Sequence, residues 1–131
     1  MDKVWDQMKS GAWYDAEDVS LRQLRASCKA KLQQFNAMPE SDRQQAIGIL
    51  YTLLDAQEGL NIEAPFRCDY GPNIHLGRNF YANFNFSVLD EADVTIGDHV
   101  FIGPNVGIYT AIHPLDPKTR RTGLERAEPV R

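Results

Sequence analysis

The sequence predicts a mainly β protein in which a parallel β-helix of triangular section, built from hexapeptide repeats, follows a small N-terminal α-helical cap. Small or apolar residues recur every six positions, with one eight-residue step: Tyr70, Leu76, Ala82, Val88, Ile96, Ile102 and Ile108. A second apolar column runs alongside the first: Ile74, Phe80, Phe86, Val100 and Val106. Glycine directly follows an aliphatic residue at Gly77, Gly97 and Gly103.

A period of six fits neither an α-helix, which repeats at 3.6 residues, nor a half-buried strand, which alternates. In a three-sided β-helix each hexapeptide forms one side and one corner, so one aliphatic side chain per side points inward. Glycine is expected at the corners, because it accepts backbone conformations that a Cβ disfavours. The alternative is an ordinary sheet protein whose apolar residues fall in step by chance, and the sustained register argues against it.

Before the repeat, apolar residues three or four positions apart predict helices. A first short helix is expected over residues 3–9. The second covers 20–36, with Ser20 and Gln23 as a capping box, and the third covers about 41–59. The apolar face of the second consists of Leu21, Leu24, Cys28, Leu32 and Phe35. We therefore divide the chain into a helical cap, residues 1–60, and β-helix coils, residues 61–131.

Composition narrows the possible partners. The chain has 131 residues, a net charge of -4 and a pI near 5.3, so nothing favours binding to nucleic acid or to an anionic membrane. The N-terminus lacks the apolar segment of a secretory signal, and the expected location is the cytoplasm. Cys28 and Cys68 are far apart in sequence and not in a CxxC motif, so we expect reduced thiols.

After Ile108 the period ends, and Pro114 and Pro117 interrupt any ladder of backbone hydrogen bonds. This predicts a loop that protrudes from the solenoid over about residues 109–127, after which the chain returns. Loops on rigid scaffolds often carry chemistry. His113 lies where this loop departs and is a candidate catalytic residue.

Five motifs stand out along the chain: MKSGAWYD at 8–15, NFYANFN at 79–85, TIGD at 95–98, IGPNV at 102–106 and His113-Pro114. Together they resemble the hexapeptide-repeat sugar O-acetyltransferases, in particular the branch of maltose, galactoside and nodulation acetyltransferases. The resemblance covers nearly the whole chain. It implies a left-handed β-helix and a homotrimer with active sites between neighbouring prisms.

The resemblance also implies transfer of an acetyl group from acetyl-CoA to a hydroxyl of a maltose, glucose or galactoside type of sugar. His113 takes the position of the catalytic histidine, and Asn83 that of an asparagine near both the acceptor and the thioester. The acceptor contacts implied by the family are Asp15, Arg25, Asp69 and Glu91.

The chemistry is consistent with these roles. A sugar hydroxyl is a poor nucleophile, and an imidazole, with an ordinary pKa of about 6.5, is suited to remove its proton. The Asn83 amide can donate to an oxyanion. Each residue also has a structural alternative: Asn83 could ladder with other asparagines, Asp15 could cap a helix, and Arg25 could be a solvated helix residue.

Two further alternatives concern metal and length. A related β-helix class binds zinc through three histidines that include a close pair, but His75, His99 and His113 are separated by 24 and 14 residues, so no metal site is predicted. Relatives are expected to continue past the equivalent of Arg131 with coils that complete the CoA groove and trimer contact. The alternative to an acetyltransferase is therefore a silent trimeric scaffold or sugar-binding remnant.

Overall fold

The computed structural model describes residues 3–131, in which the three longest helices precede the strands of the solenoid, as predicted. The helices are α1 (Lys3–Lys9), α2 (Val19–Ala37), α3 (Arg43–Leu53) and α4 (Pro117–Arg120), and a 3-10 turn covers Glu40–Asp42. The first six strands are β1 (Tyr14–Asp15), β2 (Asp55–Ala56), β3 (Asn61–Ile62), β4 (Phe66–Cys68), β5 (Ile74–Leu76) and β6 (Tyr81–Ala82). The others are β7 (Phe86–Leu89), β8 (Val94–Ile96), β9 (Phe101–Ile102), β10 (Gly107–Tyr109), β11 (Ala111–Ile112) and β12 (Leu124–Ala127). Within residues 3–131, no helix is long and apolar enough to cross a membrane.

Nine strands form the three sides of the solenoid. The parallel sheets are β2-β5-β8, β3-β6-β9 and β4-β7-β10. Every register pairs residues twenty apart, as in Ala56 with Leu76 and Leu76 with Ile96. A coil thus has two residues more than three hexapeptides. Because β2 already pairs with β5, the first strand of the solenoid precedes residue 61.

The two additional residues of each coil lie at one corner, after the β4-β7-β10 sheet. Cys68 pairs with Val88, and Val88 with Ile108, so Cys68 occupies the inward column. The prediction that placed Tyr70 in this column is wrong. Tyr70 lies in the wider corner and packs edge-on against Trp5 of the cap, with ring centroids 5.2 Å apart.

The other corners depend on asparagine. Asn79, Asn85, His99 and Asn105 have φ between 56° and 62°, in the left-handed region, whereas Gly77, Gly97 and Gly103 do not have a positive φ. The proposed reason for these glycines is therefore wrong. At Gly77 the requirement is space, because a Cβ would lie 2.5 Å from the backbone of Gly97. His99 stands one coil above Asn79, which makes it a corner residue.

The helical cap covers the first coil. One apolar core runs from α2 and α3 into the solenoid, through Phe35, Leu50, Leu53 and Ile62. Two boundary predictions are wrong. Asp18, not Ser20, caps α2, because its carboxylate accepts the Ser20 N–H. Helix α3 ends at Leu53 because the chain then enters strand β2 at Asp55.

The two cysteines meet where α2 packs on β4. The Sγ atoms of Cys28 and Cys68 are 3.6 Å apart, and both thiols are free and buried. The contact with Cys28 and burial raise the pKa of the Cys68 thiol well above its usual range. The Cys68 thiol therefore keeps its proton and is weakly reactive.

His75 connects three successive coils on one face of the solenoid. His75 Nδ1 lies 2.7 Å from Asp55 Oδ2, and its Nε2 lies 2.8 Å from Asp93 Oδ1, which Lys9 also approaches at 3.4 Å. Burial alone would lower the pKa of His75, but the two carboxylates raise it above the ordinary value. The protonated ring can donate to both carboxylates at once.

We predict that His75→Gln destabilises the protein more at pH 5.5 than at pH 9. The folded-state pKa of His75 is raised, so its contribution is fully present below the unfolded value of about 6.5 and is lost as the pH rises through the folded value. Thermal unfolding of both proteins at the two pH values measures this difference. His99→Asn is the control. An equal loss of stability at both pH values would contradict the role of protonated His75 between Asp55 and Asp93.

Phe86 is fully buried at the centre of the prism. Its ring centroid is 5.7 Å from that of Phe66 and 6.0 Å from that of Phe80. We predict that Phe86→Ala lowers the free energy of unfolding by about 3–5 kcal/mol, because it leaves a cavity that neighbouring coils cannot fill. Urea denaturation measures this. Phe101→Ala, at a position 78% exposed on the outer face, should cost far less.

Candidate active site

The protruding loop folds into a hairpin that reaches the cap. Strand β11 pairs antiparallel with β12, with Ile112 opposite Arg126, and β12 pairs with β1, with Tyr14 opposite Glu125. The next residue after Ile112 is His113, which therefore comes level with Glu125. Beyond the hairpin the chain rejoins the solenoid, where Val130 bridges to Val94.

This three-stranded sheet assembles a row of three polar side chains. His113 Nδ1 lies 3.2 Å from Glu125 Oε1, and the Tyr14 hydroxyl donates to Glu125 Oε2 at 3.2 Å. The carboxylate favours a proton on Nδ1, which leaves Nε2 as the unprotonated nitrogen of the neutral ring. The imidazole side chain is 47% exposed, so a ligand can reach the ring.

Tyr14 is a neutral donor. Its side chain is 2% exposed, and burial, reinforced by Glu91 and Glu125, raises the pKa of its phenol far above the ordinary value. The hydroxyl therefore keeps its proton, and Glu125 is fixed between Tyr14 on one side and His113 on the other.

Helix α2 contributes an arginine to the same corner. Arg25 donates from Nη1 to the Tyr70 hydroxyl at 2.7 Å and from Nη2 to the Ala16 carbonyl at 2.9 Å. Burial opposes the charge of Arg25, but the hydrogen bond to Tyr70 and the nearby acidic groups raise the pKa of Arg25. Burial raises the pKa of Tyr70 to about 12, although Arg25 acts in the opposite direction.

The corner loops of two successive coils contribute carboxyl groups. Asp90 is fully buried and accepts the backbone N–H groups of Asp69, Tyr70 and Gly71 at 2.7–3.0 Å. Glu91, next to it, is 5% exposed. Burial and then Asp69 raise the pKa of Glu91 to about 10, so this side chain is a neutral acid at neutral pH.

Of the predicted residues, the structure brings four into one connected group. His113 is linked to Tyr14 through Glu125, Tyr14 faces Glu91, and Asp69 interacts with both Glu91 and Arg25. Asp15 follows Tyr14 in β1, and its exposed carboxylate accepts the Glu17 N–H at 3.0 Å. Its backbone is thus joined to the His113 hairpin through β12.

Asn83 lies elsewhere. It follows β6 at the corner that leads into the β4-β7-β10 sheet, whereas His113 comes after that sheet. The length of β7 therefore separates the Asn83 corner from the corner of the other site residues within one chain. The Asn83 Oδ1 accepts the Phe84 N–H at 2.8 Å, which leaves its amide hydrogens as donors.

Sequence reasoning missed Glu125, Tyr14, Tyr70 and Asp90. The sequence pattern places Glu125 only within the predicted loop over about residues 109–127, and it places Tyr70 in the inward column of the core. No periodicity marks Glu125, because its partners are set by the pairing of a short hairpin with a two-residue strand. A wider corner in the coil register is the signal that would have indicated Tyr70 and Asp90.

No group of three or more His, Cys, Asp or Glu residues within 3–131 is arranged to hold a metal ion. His75 is engaged by Asp55 and Asp93, and His99 occupies an exposed corner.

Comparison with known proteins gives consistent results. Residues 7–56 match the family described as maltose acetyltransferase hexapeptide capping motif. Nodulation protein L of Rhizobium meliloti is 41% identical over 96% of this chain and 69% of its own. The crystal structure of a maltose O-acetyltransferase from Clostridium difficile 630 superposes with a TM-score of 0.94 at 40% identity, covering 98% of this chain and 69% of that one.

A galactoside acetyltransferase in complex with coenzyme A also matches, with a TM-score of 0.91 and 31% identity over 98% of this chain and 65% of that one. The chain belongs to the hexapeptide-repeat acetyltransferase family, in the branch of the maltose, galactoside and nodulation proteins. The predicted left-handed β-helix with a helical cap is confirmed. The chain spans about two thirds of the length of the curated relatives it matches.

We predict that Glu125→Ala removes the preference of the His113 ring for a proton on Nδ1, because the carboxylate that favours it is gone. Nitrogen-15 NMR of the ring at alkaline pH, where imidazole is neutral, measures the tautomer. The matched control is Glu128→Ala, a carboxylate that pairs with Arg126. Unchanged His113 nitrogen shifts in Glu125→Ala would contradict the role assigned to Glu125.

Proposed function

We propose that the protein transfers an acetyl group from acetyl-CoA to a hydroxyl of a sugar, of the maltose, glucose or galactoside type. The observation that carries this proposal is the His113–Glu125 pair, with one imidazole nitrogen against a carboxylate and a ring that a ligand can reach. A positioned base of this kind is what a sugar hydroxyl needs in order to act as a nucleophile near neutral pH.

In the proposed reaction His113 Nε2 accepts the proton of the acceptor hydroxyl as its oxygen attacks the thioester carbonyl carbon. Glu125 then stabilises the imidazolium through Nδ1, and Tyr14 keeps Glu125 in position. When the tetrahedral intermediate collapses, the C–S bond breaks and the thiolate of CoA takes the proton from Nε2. The products are an O-acetyl sugar and free CoA, and His113 returns to its starting state.

The oxyanion of the intermediate requires a hydrogen-bond donor. Asn83 has free amide hydrogens, but it lies one prism side away from His113 in the same chain. We therefore propose a homotrimer in which Asn83 of the partner subunit meets His113 across the interface. An active site completed by two subunits explains why one chain separates the two residues.

The remaining residues of the corner suit a hydroxylated acceptor. Asp15 and Asp69 offer carboxylate oxygens, which accept hydrogen bonds from sugar hydroxyls. Arg25 holds the Tyr70 hydroxyl in this corner. Asp69 also lines an open groove of about 600 Å³ between α2 and strands β4 and β7, through which an acceptor can approach. The complex of a family member with coenzyme A supports acetyl-CoA as the donor.

We predict that His113→Ala lowers kcat by about 10²- to 10⁴-fold and changes sugar binding little, because it removes a base that acts only in the reaction. The assay combines acetyl-CoA with maltose, glucose or a galactoside and detects released CoA with a thiol reagent. Isothermal titration with the same sugars measures binding.

His99→Asn serves as the control for loss of a histidine outside the site and should retain activity. Absence of CoA release from the unaltered protein with every sugar would refute the proposal. Sugar binding without turnover, unchanged by His113→Ala, would instead indicate a non-catalytic sugar-binding or scaffold protein.

A further inference from the structure

Glu91 is unusual among the polar groups of this protein. Its side chain is 5% exposed, and its Oε1 is the sole buried side-chain oxygen or nitrogen within residues 3–131 that has no hydrogen-bond partner. Leaving a buried polar atom without a hydrogen-bond partner lowers the stability of the folded state. Its presence beside the proposed acceptor site therefore requires an explanation.

Apart from the backbone N–H of Glu91 itself, the donors around this side chain are engaged elsewhere. Three backbone N–H groups of the preceding coil are directed to Asp90. Tyr14 donates to Glu125, and Arg25 donates to Tyr70 and to the Ala16 carbonyl. An ionised Glu91 would thus be a buried charge without sufficient donors, which is strongly unfavourable.

Asp69 lies within hydrogen-bonding reach of the Glu91 side chain. Two ionised carboxylates in contact repel each other, whereas a single shared proton turns the contact into a hydrogen bond. The two environments differ. Asp69 is partly exposed and lines the groove between α2 and the sheet, while Glu91 is buried. The proton therefore belongs on Glu91 and the negative charge on Asp69.

We propose that Asp69 and Glu91 share one proton, and that neutral Glu91 donates to Asp69 and positions it as the hydrogen-bond acceptor for an acceptor hydroxyl. The recognition part of this inference rests on the proposed function. It also defines a substrate class: uncharged sugars are accepted, and uronic acids are rejected, because their carboxylate would meet the charge of Asp69.

The titratable and charged groups that face Glu91 determine the sign of its pH dependence. They are Asp69 and Tyr70 after β4, Asp90 beside it, and Tyr14 on β1, with Glu125 behind Tyr14 and Arg25 behind Tyr70. The native side chain keeps its proton up to a pKa of about 10, while the unfolded chain releases it near 4.5. Between these values the wild type loses stability as the pH rises.

The decisive test compares wild type with Glu91→Gln by urea denaturation at pH 6 and pH 8. The variant has no proton to lose, so its folding equilibrium constant relative to wild type should increase by up to about tenfold per pH unit. Glu58→Gln, an exposed carboxylate that pairs with Arg78, is the matched control and should show a constant ratio. A constant ratio for Glu91→Gln would overturn the shared proton.

A second measurement addresses recognition. Asp69→Asn should raise the KM for a neutral acceptor by about 10-fold or more with a smaller effect on kcat, because a charge-assisted hydrogen bond is lost. Glu91→Ala should raise this KM more than Glu91→Gln, which retains a donor toward Asp69. In wild type the KM should increase toward pH 10, and Glu91→Gln should lack this increase.

The two parts can fail separately. A pH-dependent stability ratio together with absence of turnover would refute the proposed function and leave the shared proton standing. Turnover with equal KM values for a hexoside and its uronic acid, or with an unaltered KM in Asp69→Asn, would refute the recognition role.

Discussion

The structure depends on the in-register stacking of twenty-residue coils. Each strand pairs with its equivalent in the next coil, so an apolar side chain that points inward always stacks on another, as Phe66 does on Phe86. Once this register is set, any departure from three hexapeptides repeats at the same corner. A two-residue widening of the coil therefore becomes a vertical stack of loops, placed by the backbone ladder and not by the loop residues themselves.

Most side chains of the candidate site lie at that corner. The first coil contributes Asp69 and Tyr70, and the second contributes Asp90 and Glu91. In the third, the chain passes Thr110 and leaves as the hairpin that carries His113. The levels are bonded together, because Asp90 accepts amides of the coil below and Thr110 Oγ1 donates to the Leu89 carbonyl. The cap closes the corner with Tyr14 and Arg25, so its helices are part of the site.

The structure could be predicted from the sequence where the spacing of apolar residues is periodic. Inward aliphatics predicted the solenoid, apolar spacing predicted the cap helices, and the lapse of the repeat indicated the His113 loop. It failed where contacts arise from pairing between distant, non-periodic segments. Glu125 meets His113 and Tyr14 only through the β1-β12-β11 sheet. The assignment of Tyr70 to the core failed because two steps fit the apolar pattern, a six-residue step from Tyr70 to Leu76 and an eight-residue step from Cys68 to Leu76. Only the coil register shows that the second is correct.

The corner also shows how a low-dielectric site limits its charge. The Asp90 carboxylate can be buried because three backbone N–H groups donate to it. A buried carboxylate without such donors must keep its proton. Glu91 is neutral for this reason, and Tyr14 is neutral because its phenol is buried. Each lies against a carboxylate that is less enclosed: Glu91 against Asp69, which lines the groove, and Tyr14 against Glu125, which lies next to the imidazole. In the proposed site, burial therefore separates the groups that keep their protons from the carboxylates that they position.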